Sequence, residues 1–166
     1  MKYIKNFKLF EGITKEEIEK DIVEVEIDYI DYDGSHQVGT LEVSKNIVEN
    51  VKGAFNDLYK IEFPIYKIDK SYQRPDEDII MDNITTGYNF RYIMGTKDLS
   101  KHAKGLAIDL NPKVNPAKPS KISHVYDESI ERGKITEEVV DIFKKWGFKW
   151  GGEIFENFWD SHHFEI

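Results

Sequence analysis

The sequence predicts an α+β fold, and three observations carry that prediction. Stretches of period two, such as 23–31 "VEVEIDYID" and 105–110 "GLAIDL", read as strands. Stretches of period 3.6, such as 44–59 and 136–146, read as amphipathic helices. The two kinds do not alternate regularly, as a parallel βαβ sheet would require. At 166 residues the chain has the length of one domain, 1–166, with residues 1–20 expected as a peripheral extension.

Taken in order, 12–22 "GITKEEIEKDI" predicts a short helix with Thr14 as N-cap and acids in its first turn. A strand follows over 23–31, then turn chemistry in 32–39 "YDGSHQVG". The segment from Leu41 opens as a strand. It continues as a helix with Ser44 at its cap and Ile47, Val48, Val51, Phe55 and Leu58 near helical spacing. Residues 63–72 predict another strand, and 88–93 a strand-like end to a polar loop. Residues 111–129 contain three of the five prolines and read as a long ordered loop. Thr136 caps a helix whose apolar face carries Val139, Val140, Phe143 and Trp146, with Gly147 as its breaker. The chain closes with a glycine turn at 150–152, a loop, and a strand ending in "HHFEI".

A net charge of −8 argues against general binding of a phosphate backbone, so no nucleic-acid partner is expected. Without cysteine, any metal must be held by His, Asp or Glu. No stretch is long and apolar enough to span a membrane. The first 17 residues have lysines but neither an apolar h-region nor a small-residue cleavage site, so no secretory signal is read there.

The chemistry concentrates in 99–112, "LSKHAKGLAIDLNP". Asp109 ends an apolar strand-like run, where a carboxylate is costly unless something cationic meets it. In the strand reading Leu106, Ile108 and Leu110 share one face, and Ala107 and Asp109 the other. His102 lies before the turn that Gly105 permits. Near the end of the chain His163 and Glu165 share a face opposite Phe164 and Ile166, and Asp160 stands three residues before His163. Two histidines and a carboxylate form a three-ligand zinc set that keeps one position for water, whose pKa falls to about 7. Asp160 is placed to take the proton and pass it to a leaving amine. On spacing alone, two plainer readings stand beside this one: Asp109 as a strand-end cap, and His162 and His163 as surface residues.

"SKHAKGLAID" (100–109) resembles the S-x-H-x-x-G-x-A-x-D motif of the zinc D-alanyl-D-alanine carboxypeptidases. This family of peptidoglycan peptidases includes D-alanyl-D-alanine dipeptidases and phage L-alanyl-D-glutamate endopeptidases. "DSHHF" (160–164) resembles the family's second motif, and 85–91 "TTGYNFR", 110–116 "LNPKVNP" and 144–152 "KKWGFKWGG" are similar to further segments of the cell-wall branch. The resemblance implies a small central antiparallel sheet flanked by helices, the fold shared with hedgehog signalling domains. It implies zinc as cofactor with His102, Asp109 and His163 as ligands, and Asp160 as the base. His162 is expected to project to the other face of the strand. An arginine of the family polarises the scissile carbonyl. Arg91 is the match, two residues beyond the usual position and so in the same strand parity, and Arg74 in "SYQRP" is the alternative. Ser100 is implied as a hydrogen bonder to substrate or to a ligand.

The chain departs from the family pattern in a longer 153–159 loop and in an Asp, where some branches carry Glu, as the base. The implied partner is a peptidoglycan stem peptide, the implied state a monomer, and the implied setting the cell wall, the extracellular space, or phage delivery. Two other functions compete: a zinc domain that only recognises a partner, and a glycosidase with paired carboxylates, for which no pair stands out.

Overall fold

The computed structural model describes residues 13–166. Most of the expected 1–20 extension therefore lies outside the described residues. Its remainder contains α1 (Lys15–Glu19), where Thr14 and Glu17 close a reciprocal capping box. Among the described residues no helix is long and apolar enough to cross a membrane.

The strand at 23–31 is β1 (Ile22–Ile30). It pairs antiparallel with β2 (His36–Ser44), in register from Ile22 opposite Ser44 to Ile30 opposite His36. The turn is tighter than the sequence suggested and occupies only residues 31–35. Asp31 Oδ1 accepts from the amides of Asp33 and Ser35, each at 2.9 Å, which frees His36 onward to pair. Ser44 caps a 3₁₀ turn at 45–47 rather than the helix itself. That helix, α2, starts at the next residue (Val48–Lys60).

The next strands are short: β3 (Lys67–Ile68) pairs parallel with β4 (Ile84–Thr85), and α3 (Asp76–Met81) lies between them. No strand forms over 88–93. The segment makes one isolated bridge, Tyr92 with Leu99, and bonds residues 98–102 through Asn89 N to His102 O and Ser100 N to Arg91 O, while Phe90 N is taken by Gln73 Oε1. β5 (Ala107–Asp109) follows a 3₁₀ turn at 102–104. The proline-rich loop is not wholly irregular, since it contains β6 (Ala117–Lys118) and a 3₁₀ turn at 123–125. After α4 (Glu137–Lys145), capped by Thr136, come β7 (Lys149–Trp150), α5 (Gly151–Ile154), β8 (Trp159–Asp160) and β9 (His163–Glu165). α5 stands where a glycine turn was expected, because its two leading glycines are poor helix formers and hide it from a pattern reading.

The architecture is mixed α and β, with the strands spread over small sheets rather than gathered into the one small central antiparallel sheet that the resemblance implies. Among the described residues four form: β1-β2, β3-β4, β6-β8, and an antiparallel β5-β9-β7. Strands of two or three residues cannot extend a common ladder, and left-handed residues such as Asn83 and Asn111 break the chain beside them. Bridges join the pieces, Ile30 with Pro64 and Thr86 with Asp109.

The core explains where the site faces. α2 buries Val51, Ala54, Phe55 and Leu58, and α4 buries Val139, Val140 and Phe143. Phe143 stacks on Phe164 of β9 at 3.9 Å between ring centres and meets Phe55 and Phe148 edge-on. Ile108 of β5 lies opposite Phe164, and both are fully buried. Period two then turns Asp109 and His163, which are also opposite each other, to the other face of the same sheet. The apolar core thus fixes the plane from which the polar cluster projects.

Candidate metal centre

Gly105 closes the turn that carries His102, with φ +66 and its carbonyl accepting from Ser44 N at 2.8 Å. Ser100 Oγ accepts from Ala103 N at 3.1 Å and so caps this turn. The result is one buried triad. His102 Nε2 lies 3.0 Å from Asp109 Oδ1 and 3.1 Å from His163 Nδ1, and His163 Nδ1 lies 3.2 Å from Asp109 Oδ1.

Second partners fix which ring nitrogen faces inward. His102 Nδ1 donates to the Gly87 carbonyl at 2.7 Å, so the neutral ring keeps its lone pair on Nε2. His163 Nε2 donates to Glu165 Oε2 at 2.9 Å, which leaves the lone pair on Nδ1. Two imidazole nitrogens and one carboxylate oxygen therefore converge, all within 4.8 Å of one another. This is a donor set that suits zinc.

The electrostatics answer the question raised by a carboxylate in a core strand. Burial alone would raise Asp109. The charges of His102 and His162, with hydrogen bonds from His102 and His163, outweigh burial and hold it well below the usual carboxylate range. Burial opposes charge on His163 as well, yet in the metal-free triad hydrogen bonds to Asp109 and Glu165 raise it to about 10, so Nδ1 offers its lone pair only once a metal displaces the proton there. Glu165 is lowered, chiefly by its bond to His163.

His162 departs from the expected geometry. It precedes β9 rather than beginning it, so its ring does not follow the strand alternation. The ring is buried, donates from Nδ1 to Asn115 O at 2.6 Å, and brings Nε2 to 3.1 Å from Asp160 Oδ1 and 3.9 Å from Asp109 Oδ2. The Asp160 contact is an ion-pair distance without the alignment of a hydrogen bond, since Oδ1 is buried and has no hydrogen-bond partner among the described residues. Asn115 can hold His162 because its own side chain is pinned, accepting from Ile135 N and donating to Gly133 O. Pro116 O, next to it, accepts from the Ser161 hydroxyl at 2.8 Å. The tyrosine ring of Tyr126 faces His162, and burial pushes its hydroxyl up to about 12.

The two arginines are engaged differently. Arg74 pairs with Asp82 at the far end of α3. Arg91 pairs with Asp76 at the near end, 2.9 Å from Nε and out of line for a hydrogen bond. Its carbonyl accepts from Ser100 N, two residues before His102. The sequence reading missed His162 as a neighbour of Asp160 and Glu165 as the partner of His163. Glu165 was detectable, because it shares a strand face with His163. His162 was not, because its placement depends on where β9 begins. Around the triad stands an aromatic rim: Phe155 lies 6.0 Å from the His163 ring and 5.8 Å from Phe158, and both are partly exposed along with Trp159.

Residues 94–166 match the family model described as D-alanyl-D-alanine carboxypeptidase. The matched segment contains His102, Asp109, Asp160 and His163, and the resemblance read from "SKHAKGLAID" and "DSHHF" stands over that length. No curated protein and no solved structure matches the chain.

Proposed function

We propose that the chain is a zinc peptidase that hydrolyses peptidoglycan stem peptides at a bond next to a D-amino acid, of the D-Ala-D-Ala carboxypeptidase or L-Ala-D-Glu endopeptidase type. The observation that carries this reading is the convergence of His102 Nε2, Asp109 Oδ1 and His163 Nδ1, with both histidine tautomers fixed from behind. The family match over the same segment supports the substrate class.

In this reading His102, Asp109 and His163 hold zinc, which supplies Lewis acidity and a water acidic enough to ionise near neutral pH. Asp160 accepts the proton of the attacking water and delivers it to the leaving amine. His162 flanks Asp160 and limits the positions its carboxylate can take. Arg91 neutralises the charge that develops on the carbonyl oxygen, and does so without transferring a proton. Arg74, ion-paired with Asp82 as Arg91 is with Asp76, is the alternative for that role. Ser100 acts through the turn it caps, which sets where His102 stands. Phe155, beside His163, and Phe158, beside Phe155, offer the peptide an apolar surface next to the site. The hedgehog-like fold, a monomeric state, and action at the cell wall, outside the cell or by phage delivery belong to the same proposal.

The test is mass spectrometry of a defined stem pentapeptide incubated with the zinc-loaded protein. Loss of one terminal alanine indicates the carboxypeptidase type, and scission after the first L-alanine the endopeptidase type. Both should vanish in Asp160→Asn. Intact peptide with zinc bound would replace this reading by that of a recognition domain, and new reducing sugars from whole peptidoglycan by that of a glycosidase.

A further inference from the structure

We propose that Thr86 is a positioning residue for the metal ligand Asp109: with a metal on the site its hydroxyl turns to donate to the Asp109 carboxylate and so sets the affinity of the site. The inference rests on the zinc reading above. Thr86 and Asp109 form an antiparallel bridge in which Thr86 N donates to Asp109 O at 3.2 Å and Asp109 N to Thr86 O at 3.0 Å. A pair that exchanges both bonds points its side chains to the same face, with Cβ atoms about 5.5 Å apart. On its other edge Asp109 lies opposite His163. Thr86, Asp109 and His163 thus form one row across three chain segments, on the face that carries the triad.

Thr86 is 3 % exposed, and its Oγ1 has no hydrogen-bond partner among the described residues. Its neighbour Thr85 is different, since its hydroxyl accepts from Asn111 N. A buried hydroxyl without a partner destabilises a fold. Valine has the same branched shape and would fill this place without that penalty, so packing gives no reason for the hydroxyl. The carboxylate beside it gives one. Asp109 Oδ1 is shared between His102 and His163, and Oδ2 points elsewhere, 3.9 Å from His162 Nε2. Ligation through one oxygen is strengthened when a donor steadies the other. Rotation about the Cα–Cβ bond of Thr86 swings the hydroxyl along the row toward that carboxylate.

The experiment measures zinc affinity by competition with a chromophoric chelator in the wild type, Thr86→Val and Thr86→Ser, and thermal melting of each after chelator treatment. Thr86→Val should bind zinc about 10- to 100-fold more weakly, and Thr86→Ser should stay within about threefold of wild type. Thr86→Val without zinc should melt at or above the wild-type temperature, because it no longer buries an unpaired hydroxyl. Unchanged zinc affinity in Thr86→Val, including the case where only KM rises, overturns the proposal and assigns the hydroxyl to substrate. A lower melting point without zinc also overturns it, since the hydroxyl would then serve the fold. If the wild type binds no zinc, the zinc reading itself fails, an outcome distinct from either of these.

Discussion

Gly105→Ala tests whether the turn between His102 and Asp109 is a mechanical part of the site. Two separate strains arise there. The residue holds φ +66, a left-handed conformation that costs an L-residue about 1–2 kcal/mol. An added Cβ would also lie 2.5 Å from Ile22 Cδ1 and 2.6 Å from Ser44 N. The isoleucine tip can rotate away, but the Ser44 amide is backbone and is bonded to the Gly105 carbonyl at 2.8 Å. Relieving that contact requires the turn or β2 to move, and overpacking of this kind costs about 1–3 kcal/mol more. The sum, about 2–5 kcal/mol, should lower the melting temperature by about 5–20 °C in a chain of this length. His102 lies three residues before the glycine and Asp109 four after, so the same movement should weaken zinc binding. Gly34→Ala is the control: its φ is +83 but nothing lies within 4 Å of the new Cβ, so it should show only the conformational cost. Thermal melting with and without chelator, together with a zinc competition titration, reads both effects. If Gly105→Ala matched Gly34→Ala in stability and kept full zinc affinity, the coupling of turn and site would be refuted.

Asp160→Asn should keep zinc, measured by metal analysis of the purified protein, and lose about 100- to 10,000-fold in kcat, since the residue acts in proton transfer and is not a ligand. Arg91→Ala should cost about 3 kcal/mol of transition-state stabilisation with unchanged metal content, whereas Arg74→Ala, which frees Asp82 and the Asp78 carbonyl, should leave kcat/KM near wild type. A large loss in Arg74→Ala alone would transfer the role. Asp57 ties α2 to α4 by accepting from Lys145, Trp146 and Lys60, which hold its carboxyl below the usual range. A depressed folded value stabilises above the unfolded pKa of about 4 and is lost as pH falls below it. Asp57→Ala should therefore be less stable than wild type by about 1–2 kcal/mol at pH 7, with most of that resting on the half-buried Trp146 bond. Denaturant titrations should show the gap closing as the pH drops below about 4.

Legibility in the sequence followed the range of the interactions involved. The hairpin β1-β2 and the helices α2 and α4 are set by periodicity and caps within a dozen residues, so the pattern of Val51, Phe55 and Leu58 was enough to find them. The strand faces of Asp109 and His163 were legible for the same reason, since they alternate with the core positions Ile108 and Phe164, while their role as ligands came only from the resemblance of the motifs around them. The division into small sheets was not legible. It depends on left-handed Asn83 and Asn111 and on side chains such as Gln73, which takes the Phe90 amide from 17 residues away. His162 falls in the same class. Its direction is decided by the Asn115 carbonyl, 47 residues earlier in the chain, which is itself anchored at Gly133 and Ile135.

That contrast bears on how the site is built. The triad is supported from behind by the β5-β9 pairing over a packed aromatic core in which Phe143 lies on Phe164. The group beside it, Asp160 with His162, is held from a loop: Asn115 and Pro116 grip residues 161–162 through backbone carbonyls. Loosening the 111–116 loop should therefore disturb Asp160 while leaving His102, Asp109 and His163 in register. Tightening the core should steady the ligands without touching the base. Metal affinity and proton transfer thus rest on different parts of the fold, and variants in one part should move one property without the other.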